Sequence, residues 1–342
     1  MKILLISPKM DKPNGGIAVW TKYYEKGCQE LDISYRIVNT EIIKKGNNRR
    51  FFGELQRTKR IFKSLKNLLK EDSYDIAHLN SNIGNFGIIR DYYMAKRILK
   101  RNIPLVVHFH CDISFWVTNP VVKYYLKKLL NISKINFVLC ENSRKYLKGT
   151  FGVESIKVPN FIDKKLIVTE KIINNILKKV VFVGRVSLDK GAKEIYELAK
   201  RFPYIDFNLI GEVSREVAQW EKLANLHLLG PLPNKEVLAH LDDSDLFLFP
   251  SHTEGFSVAL AEGMARGIPS IATDVGANFD MLENKGGFVV SKGDIDSMEK
   301  CLKQLLDPSV RKKMSKWCID KVLNNYTTSK VMEELLLQYS NL

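Results

Sequence analysis

The sequence predicts an α/β protein of two domains, each a parallel sheet wound on both faces by helices, and three observations carry that reading. A length of 342 residues with 45% apolar and 27% charged residues suits two ordinary domains better than one large core. Short β-branched runs alternate with amphipathic stretches of helical period, the pattern of βαβ units around a parallel sheet. That pattern stops near residue 161 and restarts near residue 179.

In the first half the expected strands are Lys2-Ser7, Tyr35-Thr40, Ile76-Asn80, Pro104-His110 and Ile135-Glu141. In the second half they are Lys179-Gly184, Ile205-Gly211, Leu226-Gly230, Asp245-Ser251, Ile268-Thr273 and Gly287-Val290. Residues 162–178 are charged and rich in Asn and Lys, so the junction is expected there, with domains over 1–165 and 175–325. Three helical stretches follow Ser291, and the last, within 326–342, is a candidate to cross back onto the first domain.

Composition removes several classes. Cys28, Cys111, Cys140, Cys301 and Cys318 stand far apart with no C-x-x-C, against both a disulfide scaffold and a zinc cage. The apolar run Ile3 to Ile6 ends at Ser7-Pro8-Lys9, too short for a signal peptide, and no run approaches the length of a membrane span. A reducing, cytoplasmic setting is therefore expected. Charge is uneven: residues 1–171 hold 32 basic and 15 acidic residues (+17), residues 172–342 hold 21 and 23 (−2). Whatever the positive field attracts should meet the first half.

The chemistry-bearing motifs lie after strands. Gly15-Gly16 follows the first strand through a loop containing Pro8 and Pro13, where glycine lets backbone approach a phosphate or sugar. The loop lacks G-x-G-x-x-G, which argues against a nicotinamide-dependent oxidoreductase. In the second half Phe182-Val183-Gly184-Arg185 ends a strand and Asp189-Lys190-Gly191 opens a helix, placing two cations where open α/β sheets bind ligands. Glu254 and Glu262 are separated by seven residues. If helical, that interval rises about 12 Å, roughly the span from sugar to ribose in a folded nucleotide-sugar. The N–H groups of Phe256, Ser257 and Val258 would face the diphosphate between them. Glu262 sits among Ala259-Leu260-Ala261 and Gly263-Met264-Ala265, where an unpartnered carboxylate is costly.

These residues resemble the retaining, nucleotide-sugar-dependent glycosyltransferases of family 4 (glycosyl transferases group 1), over nearly the whole chain. The resemblance rests on Gly15-Gly16, His110-Cys111-Asp112, Val158-Pro159-Asn160, Gly184-Arg185, Asp189-Lys190-Gly191, Pro250-Ser251, Glu254-Gly255-Phe256, Glu262-Gly263-Met264-Ala265, Gly267-Ile268-Pro269 and Asp274-Val275-Gly276. It implies the GT-B fold, two Rossmann-like doubly wound domains facing each other across a cleft that holds the active site. By the same resemblance Arg185 and Lys190 neutralise the donor diphosphate, Glu254 contacts sugar hydroxyls and Glu262 holds the ribose. Backbone of Phe256, Ser257 and Val258 would bind phosphate, Leu232 would lie near the base, and Gly16 and His110 would close over the sugar, with Gly15, Gly184 and Gly255 also among the donor-binding residues. No metal or cofactor is implied, since two cations and a helix N-terminus can stabilise the leaving diphosphate.

Phe161, Asp189, Val213 and Asp280 depart from the family pattern, which bears on nucleotide and donor choice more than on fold. Two D-x-D matches, Asp243-Ser244-Asp245 and Asp294-Ile295-Asp296, are read as structural. His108 and His110 point the same way from one strand. His110 is read as a sugar contact and His108 as a satisfied core histidine or one that supports the site from behind.

From Lys44 to Lys70 there are ten Lys/Arg and one acid, Glu54, with apolar residues at helical spacing from Phe51 onward. This reads either as a helix packing on the sheet or as a cationic membrane-surface face. Lys123-Tyr124-Tyr125-Leu126-Lys127-Lys128 adds to the same field. No nucleic-acid motif accompanies the charge, so nucleic acid is not an expected partner.

The expected function is transfer of a hexose-type sugar from a nucleoside diphosphate, UDP before GDP, to a lipid-linked or surface-polysaccharide acceptor on the inner face of the cell membrane. A sugar-nucleotide epimerase of the same fold and a silent nucleotide-sugar-binding scaffold are the alternatives. With no first-domain carboxylate to serve as nucleophile, the resemblance favours front-face attack by the acceptor.

Overall fold

The computed structural model describes residues 1–10, 15–42 and 50–342. Two units emerge, Met1–Phe161 with Thr328–Leu342, and Ile162–Thr327. In the first, β1 (Lys2–Ser7), β2 (Ser34–Asn39), β3 (Ile76–Ser81), β4 (Leu105–Phe109), β5 (Ile135–Val138) and β6 (Ile156–Lys157) form one sheet in the order 2-1-3-4-5-6. Every pair is parallel, so each connection must cross over, and helices supply the crossovers. They are α1 (Gly16–Glu30), α2 (Arg50–Glu71), α3 (Asn85–Leu99), α4 (Ile113–Trp116), α5 (Pro120–Ile132) and α6 (Glu141–Phe151).

Alternation along β1 explains why this sheet needs cover on both faces. Leu4 and Ile6 join Ile61 and Leu65 of α2 and Ile88 and Ile98 of α3 in one core layer. Ile3 and Leu5 point the other way, to Trp20 and Tyr24 of α1. The basic segment resolves in favour of the packed helix for its apolar face: Ile61, Leu65 and Leu69 are buried, whereas Lys59, Lys63, Lys66 and Lys70 face solvent. Two of its cations serve the fold, because Arg57 donates to the Thr40 carbonyl and Arg60 to that of Glu41. Residues 44–49 of that segment, and Pro13, lie outside the described residues.

The second unit holds β7 (Lys179–Val183), β8 (Asp206–Ile210), β9 (Leu226–Gly230), β10 (Leu246–Phe249), β11 (Ser270–Thr273) and β12 (Gly287–Val290) in the order 12-11-10-7-8-9, again parallel. Its helices are α7 (Ala192–Arg201), α8 (Asn234–Asp242), α9 (Val258–Ala265), α10 (Asn278–Leu282), α11 (Ile295–Gln304) and α12 (Pro308–Asn325). The strand order reverses between β7 and β10, which opens a crevice beyond their carboxyl ends. A last helix, α13 (Thr328–Ser340), belongs to the first unit, where Val331, Met332, Leu335 and Tyr339 enter the α1 layer.

The units divide between Phe161 and Ile162 rather than within 162–178. That segment is tied to the second unit, with Val168 N–H donating to the Ala265 carbonyl and Asn174 Nδ2 to Asp245 Oδ1. It is therefore bonded into that unit and is not a free linker.

Candidate functional site

The loops after β7 and β10 meet at the strand-order reversal of the second sheet. Gly184 ends β7, donating its N–H to the Ile210 carbonyl at 2.9 Å. The chain then turns through Arg185 to a short helical turn, Leu188–Lys190. At Gly191 φ is +81°, and a Cβ there would lie 2.2 Å from the Pro250 carbonyl oxygen, so only glycine permits this approach of the two loops. The contact is reinforced by the His252 N–H, which donates to the Asp189 carbonyl at 3.0 Å.

This clamp brings Lys190 and Glu254 together. Lys190 Nζ lies 2.7 Å from Glu254 Oε1 and 3.2 Å from the Thr253 carbonyl, and Ser251 Oγ donates to the same Glu254 oxygen at 2.8 Å. Both charged side chains are largely withdrawn from solvent. Arg185 stands differently: its side chain is 57% exposed and reaches Asp189 at 2.7 Å, while Ser187 Oγ donates to the other Asp189 oxygen at 2.6 Å. A third loop braces the second. Gly276, with φ of +55°, would place a Cβ 2.6 Å from the carbonyls of Glu254 and Gly255, and Ala277 N–H donates to Gly255.

Glu254 lies in the loop, and α9 begins only at Val258, so the helical rise expected between Glu254 and Glu262 does not apply. The chain spends Gly255–Ser257 turning, because Ser257 caps α9, its Oγ accepting from Leu260 N–H at 3.2 Å. Phe256 and Ser257 are buried and Gly255 and Val258 half-buried at this helix start, where first-turn N–H groups point outward with the positive end of the dipole. Glu262, one turn further, is half-buried in α9. Among the described residues no side chain pairs with it, and burial pushes its carboxyl up to about 7. Leu232 is half-buried in the loop after β9.

Both D-x-D matches serve the fold. Asp245 accepts from the N–H groups of Lys178 and Lys179, and Asp243 pairs with Lys179. Asp294 caps α11 and Asp296 pairs with Arg201.

In the first unit Gly15 and Gly16 stand at the start of α1, both exposed, and among the described residues no atom beyond their chain neighbours lies within 4 Å of where a Cβ would stand. His110 follows β4, its Nε2 2.9 Å from Asn80 Oδ1. His78 reaches the same oxygen at 3.0 Å through its own Nε2, and its Nδ1 meets the Tyr339 hydroxyl. Burial pushes His78 and His110 down to about 3, so both are neutral. His108 is buried beside His110, 4.1 Å between ring centroids. The core histidine expected there is found, its ring fully buried in that aromatic layer with the Val158 backbone beside it. The sequence reading missed His78, Asn80 and Tyr339. A signal existed in His78-x-Asn80, which repeats on β3 the period-two polar spacing of His108-x-His110.

Two family models match the chain: "Glycosyltransferase Family 4" over residues 25–166 and "Glycosyl transferases group 1" over residues 163–319. A UDP-Gal:alpha-D-GlcNAc-diphosphoundecaprenol alpha-1,3-galactosyltransferase of Escherichia coli is 29% identical over 80% of this chain and 76% of its own. A capsular polysaccharide biosynthesis glycosyltransferase, CapM, of Staphylococcus aureus is 30% identical over 46% of this chain and 45% of its own. Among solved structures, sucrose-phosphate synthase of Thermosynechococcus elongatus superposes with a TM-score of 0.81 at 15% identity, covering 99% of this chain and 98% of that one. Anabaena HepE in complex with UDP and glucose gives 0.73 at 14% identity over the whole of both chains.

Proposed function

The chain belongs to the group 1, family 4 glycosyltransferases and has their GT-B fold of two parallel sheets, and from that premise we propose that it transfers a hexose-type sugar from UDP to a lipid-linked or surface-polysaccharide acceptor with retention at the anomeric carbon. The observation that carries this reading is the clamp of Lys190 and Glu254 beside the α9 N-terminus, at the ligand-binding crevice of the second sheet. The names of the Escherichia coli and Staphylococcus aureus relatives supply the donor and acceptor classes.

In this reading Lys190, Arg185 and the first-turn N–H groups of α9 take up charge as the bond from the anomeric carbon to the phosphate oxygen breaks. The acceptor oxygen bonds to that carbon from the same face, and its proton passes to the departing phosphate. Glu254 meets sugar hydroxyls, Glu262 the ribose, Leu232 the base, and His110 of the first unit is a hydrogen-bond partner of the donor sugar. The test is a panel of nucleotide-sugars with and without a polyprenol-diphosphate sugar, reading released nucleoside diphosphate. Release that needs both donor and acceptor is expected; turnover of donor without acceptor would instead favour an epimerase.

In this reading two cations and a helix N-terminus stand in for a metal at the diphosphate, so EDTA is expected to leave the rate unchanged. Activity lost in EDTA and restored by Mn²⁺ would overturn that part.

Placement on the inner membrane face rests on the first unit. Among the described residues no helix is long and apolar enough to cross a bilayer. Yet Tyr92 and Tyr93 of α3 and Tyr124 and Tyr125 of α5 form one ring cluster, with Lys96 and Lys128 over its faces and Arg97 over Phe62 of α2. Aromatic rings rimmed by cations suit an anionic interface. Binding to acidic vesicles should fall with salt, and replacing Lys59, Lys63, Lys66 and Lys70 by Gln should cost several kcal/mol, at about 1 kcal/mol each. Arg60 is left in place because it holds the Glu41 carbonyl. Flotation of that variant like the parent, or no preference for acidic lipid, would remove the membrane from the reading.

A further inference from the structure

Glu194 is buried where the first turn of α7 has no need of it. With Gly191 as N-cap it is the third helical residue, where a glutamate ordinarily turns back to the N-cap N–H or faces solvent beside the positive end of the dipole. The Gly191 N–H is already taken, donating to the Leu188 carbonyl at 3.0 Å. Glu194 is instead 5% exposed and crosses to the loop after β10, its Oε1 2.7 Å from His252 Nε2. Its Oε2 is buried and, among the described residues, completes no hydrogen bond. Burying a carboxyl group with one oxygen unanswered is costly, and a solvent-facing glutamate would serve the dipole without that cost. What the burial secures is the contact with His252.

His252 sits within the loop that carries Glu254. Before it, Ser251 Oγ donates to Glu254 Oε1; after it, the Thr253 carbonyl accepts from Lys190 Nζ. The two neighbours of His252 thus serve the Lys190–Glu254 pair, while its own side chain ties the loop to α7. Residues 189–194 and 251–254 are therefore joined twice through side chains, by Lys190 with Glu254 and by His252 with Glu194. Both members of the first link are read as donor contacts, so a bound donor competes with it. The second link has no part in that contact set.

We propose that Glu194 and His252 are a positioning pair that holds residues 251–254 on α7 while Lys190 turns to the diphosphate and Glu254 to the sugar. The inference rests on the reading of Lys190 and Glu254 as donor contacts, and it adds the two residues that keep Glu254 in place when its own ion pair is given up. Neither touches the substrate. The pair acts through its hydrogen bond, so an amide that preserves the bond should serve in place of either partner.

The test compares Glu194→Ala, His252→Ala, the double variant, Glu194→Gln and His252→Gln, with Glu254→Gln run beside them. With UDP-galactose as probe, or the sugar donor found active in the panel, each alanine variant should raise KM for the donor about tenfold or more and leave the affinity for free UDP within about twofold of the parent. The double variant should lose no more than either single one, because the same bond is removed in all three. Each amide variant should stay within about threefold of the parent. Amide exchange over residues 251–254, measured on the full chain with UDP bound, should quicken in the alanine variants and not in Glu194→Gln. His252→Ala, at a half-buried position, carries the comparison if Glu194→Ala does not fold. A pair that only stabilised the fold would lower the melting temperature without splitting donor from nucleotide affinity.

Additive losses in the double variant, amide variants as impaired as the alanine ones, unchanged loop exchange, or alanine variants with the donor KM of the parent where Glu254→Gln raises it would overturn the proposal. If loop exchange follows Glu194 as expected while Glu254→Gln leaves the donor KM unmoved, the pair holds the loop and the sugar contact of Glu254 fails.

Discussion

Lys190→Ala is expected to lower kcat/KM by about 10²–10³-fold, or about 3 kcal/mol of transition-state stabilisation, the size typical of one lost preorganised electrostatic donor. Two consequences of the geometry set that magnitude. The ammonium is held 2.7 Å from Glu254 and 3.2 Å from the Thr253 carbonyl, so no reorganisation is needed when charge develops on the leaving phosphate. Its removal also leaves the Glu254 oxygen with Ser251 alone and frees a carboxylate beside an anionic substrate. Arg185→Ala separates these effects. The Arg185–Asp189 pair is exposed on both sides and contributes little to folding, so this variant should melt like the parent and yet lose turnover by a similar factor. Initial rates with saturating acceptor, paired with thermal melts, check both. Full turnover in Arg185→Ala and Lys190→Ala would overturn the assignment of the β7 and β10 loops to the diphosphate.

How far the sequence foretold this site depends on how local the determinants are. Strands such as Lys2–Ser7 and Leu226–Gly230 were legible to the residue, because short apolar runs bounded by Pro or Gly leave little choice. β6 was not, since two residues carry no periodicity. Glu262 could be singled out because alanines, leucine and glycine surround it, and the structure leaves its carboxylate unpaired. The start of α9 was legible, because the free N–H groups expected at Phe256, Ser257 and Val258 fall at its Ser257 cap; only the helical rise from Glu254 was misapplied, since Glu254 lies in the loop before that cap. The Asn80 network was invisible for a different reason. It needs β3 and β4 to pair with Asn80 opposite His108, and a hydroxyl from Tyr339, 261 residues beyond His78. No single stretch of sequence contains that information.

Glu262 should make nucleotide binding release a proton. Its carboxyl, pushed up to about 7 by burial with no cation to offset it, is largely protonated in the ligand-free protein at pH 6. Ribose hydroxyls donate more strongly to the ionised carboxylate, so binding favours ionisation and should tighten as pH rises toward that pKa, by at most about tenfold per pH unit. Calorimetry with UDP at pH 6 in two buffers of different ionisation enthalpy reads the proton directly. Folding carries the opposite sign. Because the folded pKa lies above the ordinary glutamate value of about 4.3, the stability Glu262 contributes is fully present below that value and is lost as pH rises through about 7. Glu262→Gln removes both effects: no proton release on UDP binding, weaker binding of UDP and UDP-sugar alike, and a melting temperature that no longer declines between pH 5 and 8 on this account. Glu254→Gln should leave UDP binding near that of the parent and weaken only the sugar-bearing donor. Equal losses in the two variants for both ligands, or proton release that persists in Glu262→Gln, would mean that the ribose does not sit on this carboxylate.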